Sequence, residues 1–261
     1  MQTNIRTLPR KVNNNQTSDA VPFFLGNSNQ PIHFEEDWNV GIGGGLWSTG
    51  MAMADYFSKH APTVCECLSN LDAETALELG SGNGFLSVCF LASLQQQQSK
   101  RMKELVITDL QEHLPLIRRT LNANRHIHFV LGADDDGISR GTLTTSAAEE
   151  SCDAEDSIVV KVTQHAWGKI EGEPRKFDFI FGSDVAYRDD LHAPLVQSLL
   201  HFSHPRTIIL LGATMNDTKP IFFDALWNAG FTYVRMADNN CMMPECRGNT
   251  FGLFVIQKRP N

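Results

Sequence analysis

The chain has 261 residues, of which 42% are hydrophobic and 20% charged; this is the composition of a folded globular protein and excludes a disordered or fibrous chain. It contains 22 Lys and Arg against 30 Asp and Glu, so its formal net charge is −8. An acidic balance of this size argues against a nucleic-acid-binding protein, whose surface is basic.

The cysteines and the apolar runs argue against a disulfide-rich, a zinc-binding and a membrane-spanning protein. Six Cys in a chain of this length do not indicate a disulfide framework. The pairs Cys65–Cys67 and Cys241–Cys246 lack the C-x2-C spacing of zinc sites, so we expect reduced thiols, no metal and a cytoplasmic location. No apolar run approaches the ~18 residues that span a membrane, and we expect no membrane partner.

The N-terminal residues 1–30 are rich in Asn, Thr, Gln and Ser without a period, which predicts a disordered tail. Because basic residues precede the first acid there, a mitochondrial presequence is the alternative. One domain is expected over residues 31–261. It begins with a short strand at Pro31–Phe34, a glycine-rich loop at Gly41–Gly45 and a helix at Met51–His60.

From Thr75 onward, short apolar runs alternate with helical segments. The predicted strands are residues 75–79, 105–108, 177–182 and 207–212, with a further strand before Trp167, and the predicted helices are residues 85–94, 114–124, 191–202 and 219–228. This alternation predicts an α/β fold whose mostly parallel sheet carries helices on both faces. Two strands without a helix between them, residues 231–236 and 251–257, predict an antiparallel C-terminal edge. The polar, acidic segment Ala133–Ser157 predicts a disordered insertion, either without function or a lid.

The strongest motif is Glu78-Leu79-Gly80-Ser81-Gly82-Asn83-Gly84, between a predicted strand and a predicted helix. Its glycines allow a sharp turn and a close approach to a ligand. The spacing G-x-G-x-G departs from the dinucleotide pattern G-x-G-x-x-G, and no Lys-Ser/Thr completes a phosphate loop. An acid two residues ahead of the first glycine suits a cofactor that bears an ammonium and no phosphate, as S-adenosylmethionine does.

Polar residues follow two other predicted strands. Asp109 ends one strand, where an acid can accept two hydrogen bonds from a ribose diol; a helix N-cap is the alternative. Ser183 and Asp184 end the buried run before them, at the rim where a substrate meets a cofactor, and Tyr187 follows three residues later. For Asp184, too, a cap of the following helix is the alternative.

Two tryptophans offer aromatic surface near these strand ends. Trp47 follows the glycine-rich loop, and Trp167 lies in His165-Ala166-Trp167-Gly168. Either ring can stack on an adenine or wall a narrow channel, although a lone Trp is more often part of a core.

Together these motifs resemble the seven-strand S-adenosylmethionine-dependent methyltransferases, and more narrowly the methyltransferase-like protein-lysine methyltransferases of non-histone substrates. The segment Ile32–Gly50, with Gly43-Gly44-Gly45-Leu46-Trp47, resembles members that act on translation elongation factor 1A. The resemblance covers residues 31–257 and implies a Rossmann-like fold with a seven-stranded sheet. Asn83 departs from the pattern, which favours a small residue or Thr at that place.

The resemblance also implies the site. Glu78, Gly80 and Gly82 would hold the methionine end of the cofactor and Asp109 the ribose, while Trp167 would contact adenine. The residues implied to bind the cofactor are Trp47, Glu78, Gly80, Ser81, Gly82, Asp109, Leu110, Trp167 and Ser183, and those implied to shape the acceptor-lysine pocket are Asp184 and Tyr187.

The implied activity is methyl transfer to a lysine of a protein, most narrowly elongation factor 1A. Independently of the resemblance, we expect a monomer. No dedicated strong base is needed, because a neighbouring cationic sulfonium and desolvation both favour the neutral amine. The alternatives are another acceptor, such as a chaperone, a small molecule or a nucleic acid, and a catalytically silent scaffold with the same fold.

Overall fold

The computed structural model describes residues 21–25, 30–132, 157–170, 175–236 and 251–260. The predicted insertion lies outside the described residues except for Ser157, and so does the Cys241–Cys246 pair. Of the predicted tail, residues 21–25 and 30 are described, and they include a strand.

The described residues form ten strands, six α-helices and three short 3-10 helices at Trp38–Val40, Ile42–Gly44 and Gln111–His113. The strands are β1 Val21–Phe24, β2 Pro31–Phe34, β3 Thr75–Leu79, β4 Glu104–Asp109, β5 Phe129–Leu131, β6 Ile158–Gln164, β7 Phe177–Ser183, β8 Ser203–Thr214, β9 Phe231–Arg235 and β10 Phe251–Lys258. The helices are α1 Ser48–Lys59, α2 Ala61–Asn70, α3 Phe85–Gln96, α4 Leu114–Ala123, α5 Asp189–Phe202 and α6 Pro220–Asn228.

The main sheet runs in the order β5-β6-β4-β3-β7-β8-β10-β9. Neighbouring strands are parallel from β5 to β8, whereas β10 is antiparallel to both β8 and β9. The predicted mostly parallel α/β fold and its antiparallel C-terminal edge are therefore confirmed. The predicted strand number of seven is wrong, because the sheet contains eight strands among the described residues. The additional strand is β5, whose three residues are too few to show a period.

Both faces of the sheet are covered, which explains the continuous apolar runs of its strands. One core packs α1 to α4 against the strands and contains Phe57, Phe90 and Phe181. The other packs α5 and α6 against the opposite face and contains Ile180 and Phe222. Consecutive strand residues face opposite cores, since Ile180 and Phe181 are both fully buried on different sides.

The N-terminal part differs from the prediction in two respects. Residues 21–24 of the predicted tail form a strand, β1, which pairs with β2 in a separate two-stranded antiparallel sheet. The predicted helix at Met51–His60 is followed by a second helix, α2, which the sequence analysis did not identify. His60 separates the two helices with a non-helical backbone, and Pro62 then occupies the first turn of α2, a position that proline favours.

Candidate active site

A cleft of about 340 Å³ lies at the carboxyl ends of β3, β4, β6 and β7. This is where the strand order reverses direction around β3, the place where open α/β sheets bind ligands. Ten of the predicted site residues line it, namely Trp47, Gly80, Ser81, Gly82, Asp109, Leu110, Trp167, Ser183, Asp184 and Tyr187. Glu78 is not among the lining residues.

The glycine motif forms a tight loop between β3 and α3. Gly80, Gly82 and Gly84 all have positive φ, between 60° and 79°, a region that side chains with a Cβ rarely occupy. A Cβ on Gly80 would lie 2.7 Å from the ring of Trp167, and one on Gly82 would lie 2.6 Å from the carbonyl oxygen of Gly43. Because these two positions are glycine, the loop can contact Trp167 on one side and the N-terminal loop at Gly43 on the other.

Asp109 holds this loop to the end of β4. One carboxylate oxygen accepts a hydrogen bond from the backbone N–H of Gly82, and the other accepts one from the N–H of Leu110, both at 2.7 Å. The alternative assignment as a helix cap does not hold, because α4 begins at Leu114 and no side chain caps it. The oxygen that accepts from Gly82, Oδ2, keeps a second lone pair, so the predicted contact with a ribose hydroxyl remains open to Asp109.

His113 also lines the cleft and was not identified from the sequence. Its Nδ1 lies 2.8 Å from an Asp109 oxygen, and its ring packs against Gly43, where a Cβ would lie 2.8 Å from Nε2. The Asp109 carboxylate raises the pKa of His113, and the Val40 carbonyl adds to this effect. His113 thus joins the end of β4 to the glycine-rich loop Gly41–Gly45.

Glu78 lies behind the glycine loop rather than in the cleft. Its side chain is 1% exposed and accepts a hydrogen bond from the hydroxyl of Ser87. Burial raises the pKa of Glu78 to about 8, and the negative charge of Asp109 acts in the same direction. A neutral Glu78 at pH 7 supports the loop from inside the protein.

Asp184 follows β7 on the opposite wall. Its φ is +52°, a left-handed conformation that is uncommon for residues other than glycine and is enriched at functional sites. Its Oδ1 accepts a hydrogen bond from the N–H of Thr214 at 2.9 Å, and its own N–H donates to Gly212. It does not cap the next helix, since α5 begins at Asp189 without a side-chain cap. Ser183 and Tyr187 line the cleft beside it.

The N-terminal segment covers the glycine loop and supplies Trp47. Asn83, the residue that departs from the family pattern, donates a hydrogen bond to the carbonyl of Glu35 at 3.1 Å. The Glu35 carboxylate pairs with Arg119 at 2.7 Å. Trp47 is 41% exposed and packs edge-on against Trp38 at the mouth of the cleft. Asn83 therefore links the glycine motif to the segment that closes over it.

The cleft fits S-adenosylmethionine on the chemistry of its lining. The Ser81 hydroxyl is buried, lines the cleft and has no hydrogen-bond partner among the described residues, so a bound ligand can satisfy it. Asp109 has acceptor capacity for hydroxyl groups, and the rings of Trp47 and Trp167 offer faces to an aromatic base.

In the part of the chain that the structure describes, no group of three His, Cys, Asp or Glu is placed to hold a metal ion. No helix in that part is long and apolar enough to cross a membrane.

Comparisons with known proteins agree with this chemistry. A family model described as lysine methyltransferase matches residues 26–133. Protein N-lysine methyltransferase METTL21A of Mus musculus is 24% identical over 208 residues, which cover 78% of this chain and 76% of that protein. EEF1A lysine methyltransferase 3 of Xenopus tropicalis is 22% identical over 192 residues, which cover 72% and 66%. The solved structure of the ribosomal protein L11 methylase of Lactobacillus delbrueckii subsp. bulgaricus aligns with a TM-score of 0.46 at 12% identity, over 77% and 78%.

The matched region contains the glycine motif, Asp109 and the N-terminal segment with Trp47, which together line one side of the cleft. The similarity to the two curated lysine methyltransferases extends over most of the chain. Residues 26–133 therefore match the lysine methyltransferase family model, and these similarities support an S-adenosylmethionine-dependent protein-lysine methyltransferase.

Proposed function

We propose that the chain methylates the side-chain amine of a lysine in a non-histone protein, most narrowly translation elongation factor 1A. Two relatives are named as lysine methyltransferases, and one of them is named for this elongation factor. The sequence resemblance of Ile32–Gly50 to enzymes with that substrate supports the same choice. The negative formal charge of the chain also favours a cationic acceptor over a nucleic acid.

The observation that carries the proposal is the hydrogen bonding of the Asp184 carboxylate at the cleft. One oxygen is fixed by Thr214, and the other has no protein partner within the described residues. A partly buried carboxylate with an available oxygen attracts and orients an ammonium group. Tyr187 and Leu191, which line the same side, form the wall against which the aliphatic part of a lysine can pack.

The cofactor supplies an electrophilic methyl group when bound. On its side of the cleft, we assign Gly80, Gly82 and Ser81 to its amino-acid end and Asp109 with Leu110 to the ribose. Trp167 and Trp47 would wall the adenine side, and Ser183, at the end of β7, would lie at the rim where the acceptor meets the cofactor. Glu78 acts indirectly, by supporting the glycine loop.

The chain's own part in methyl transfer is to orient the amine and to exclude water. Positioning of two reactants can contribute roughly 7–11 kcal/mol when their geometry is favourable. Partial desolvation by the apolar walls shifts a lysine towards its neutral form, which is the nucleophile. We include a monomeric state and a cytoplasmic location in the proposal.

Tritiated S-adenosylmethionine, incubated with the purified protein and a cell lysate, tests this function. We expect label on a lysine of elongation factor 1A, identified by mass spectrometry, and about 100-fold slower labelling with the Asp184→Asn variant. Purified elongation factor 1A should accept the label in the same way. Label on a nucleic acid, on a small molecule or on a different protein would contradict the assigned acceptor.

A further inference from the structure

We propose that Ser198 is a positioning residue for the cofactor, because its buried hydroxyl fixes the turn that places Trp167 in the cleft wall. Ser198 lies in the middle of α5 and is 0% exposed. It does not line the cleft and therefore does not touch the cofactor itself. The inference depends on the proposed contact between Trp167 and the cofactor, but not on the identity of the acceptor.

The Ser198 hydroxyl lies between two groups of the segment that follows β6. Its oxygen accepts a hydrogen bond from the backbone N–H of Gly168 at 2.9 Å. The same oxygen lies 2.9 Å from Nε2 of His165. One serine therefore joins both ends of the four-residue turn that contains Trp167.

His165 is suited to this contact because it is neutral. Burial, with a smaller effect of His201, lowers the pKa of His165 to about 4. A neutral imidazole can accept the serine proton while the serine oxygen accepts the Gly168 N–H. The ring also packs edge-on against Phe202, and the backbone N–H of His165 donates to the carbonyl of Asp109 at 2.9 Å. The turn is thus tied to α5 and to the end of β4.

Close packing on both sides of the turn leaves Trp167 little room to move. Gly168 has a φ of +77° and lies close to Pro194 of α5, where a Cβ would be 3.0 Å away. Trp167 packs over Gly80 so closely that a Cβ there would lie 2.7 Å from the indole ring. A small displacement of the turn would therefore move the indole away from the glycine loop and change the shape of the cofactor cleft.

The test is calorimetric binding of S-adenosylmethionine to the Ser198→Ala variant, alone and combined with Trp167→Leu. We expect Ser198→Ala to weaken binding about fivefold to tenfold, as for the loss of a buried hydrogen bond. In the Trp167→Leu background, Ser198→Ala should change the dissociation constant less than about twofold, since the residue through which it acts is gone. Ser198→Cys, which keeps the volume and a weak hydrogen bond, should lie between serine and alanine.

Ser203→Ala is the matched control. Ser203 is also buried, and its hydroxyl donates to Leu199 near the end of the same helix, away from the cleft. Both alanine variants should lower the melting temperature, but only Ser198→Ala should weaken cofactor binding.

Unchanged cofactor binding in a folded Ser198→Ala protein would overturn the inference. An equal loss of cofactor affinity with and without Trp167 would also overturn it, because it would indicate a general structural role for Ser198. If the alanine variant does not fold, the Ser198→Cys pair in the two backgrounds decides by the same criterion. A protein that binds the cofactor normally but methylates no lysine would contradict the proposed function and leave this inference intact.

Discussion

Two aspartates end strands on opposite walls of the cleft, and they are held very differently. Asp109 contacts the N–H groups of Gly82 and Leu110 and the ring of His113, and its side chain is 11% exposed. Asp184 has one side-chain hydrogen bond within the described residues, to Thr214. The first carboxylate is fixed before any ligand arrives, and the second keeps an oxygen available.

The difference matches the proposed roles of the two walls. A cofactor of constant shape is best bound by a preorganised site, because ordering the site during binding costs affinity. An acceptor amine must be held while its surroundings change during transfer, which an available charged oxygen can do. The positive φ of Asp184 and the hydrogen bond from Thr214 to Oδ1 together hold this carboxylate, and its second oxygen has no partner among the described residues.

The largest expected effect comes from Asp184→Asn. Asparagine tolerates a positive φ and can still accept from Thr214, so the fold should persist while the charge is lost. We expect methyl transfer to fall by about 100-fold, or ~2.7 kcal/mol of transition-state stabilisation, with cofactor affinity unchanged. The decrease should appear in kcat.

Asp190→Asn is the matched control, because Asp190 lies near the same wall but is exposed and pairs with Arg188 at the surface. Surface pairs of this kind contribute little, so its turnover should remain normal. Normal turnover in Asp184→Asn would remove Asp184 from the proposed acceptor site.

The next largest effect is on the other aspartate. Asp109→Ala should weaken binding of S-adenosylmethionine at least tenfold, because it removes charged acceptors and also releases Gly82 from its fixed position. Titration calorimetry measures this directly. Asp178→Ala controls for stability, since Asp178 accepts from Glu74 and Thr75 at the opposite end of the sheet. An Asp109→Ala protein with normal affinity would show that the carboxylate serves only the fold.

A third acid, Glu78, extends the comparison because it is fully buried beside Asp109. Its pKa is raised to about 8 in the folded protein from 4.5, so the folded state binds the proton more tightly than the unfolded one. Its contribution to stability is complete below about pH 4.5 and is lost as the pH rises through about 8. The free energy of unfolding should therefore decrease as the pH rises from 6 to 7, by on the order of 1 kcal/mol.

Glu78→Gln removes the titrating group and keeps an acceptor for Ser87, so urea unfolding should lose that part of the pH dependence. Glu112→Gln, at an exposed position, should retain it. Equal slopes for the wild type and Glu78→Gln would mean that Glu78 is already ionised in the folded protein.

The sequence predicts best what depends on neighbouring residues. The glycine motif, the strand ends at Asp109 and Asp184 and the Trp167 turn are local patterns, and all line one cleft in the structure. The partners of these residues are distant in sequence: Thr214 for Asp184, Glu35 for Asn83 and Ser198 for His165. Such pairs leave no periodic signal, and the three-residue strand β5 is too short to leave one.

The smallest effect is expected from replacing the insertion, residues 133–157. This variant tests the Asp109 wall of the cleft separately from the Asp184 wall. Residues 133–157 connect β5 to β6, and β6 pairs with the Asp109 strand, whereas Asp184 lies on the far side of β3. Gly132 still bonds to Val160, so replacing the segment with about twelve Gly and Ser residues leaves the β5–β6 ladder complete. Halving a flexible loop changes the closure free energy by about 0.6 kcal/mol, so the melting temperature should shift by about 2 °C or less. Cofactor affinity should stay within about twofold of the wild type by the same reasoning.

Two outcomes would contradict this prediction. A large loss of affinity with normal turnover at saturating cofactor would show that the segment supports the Asp109 wall. A large drop in melting temperature would show that the segment packs on the fold.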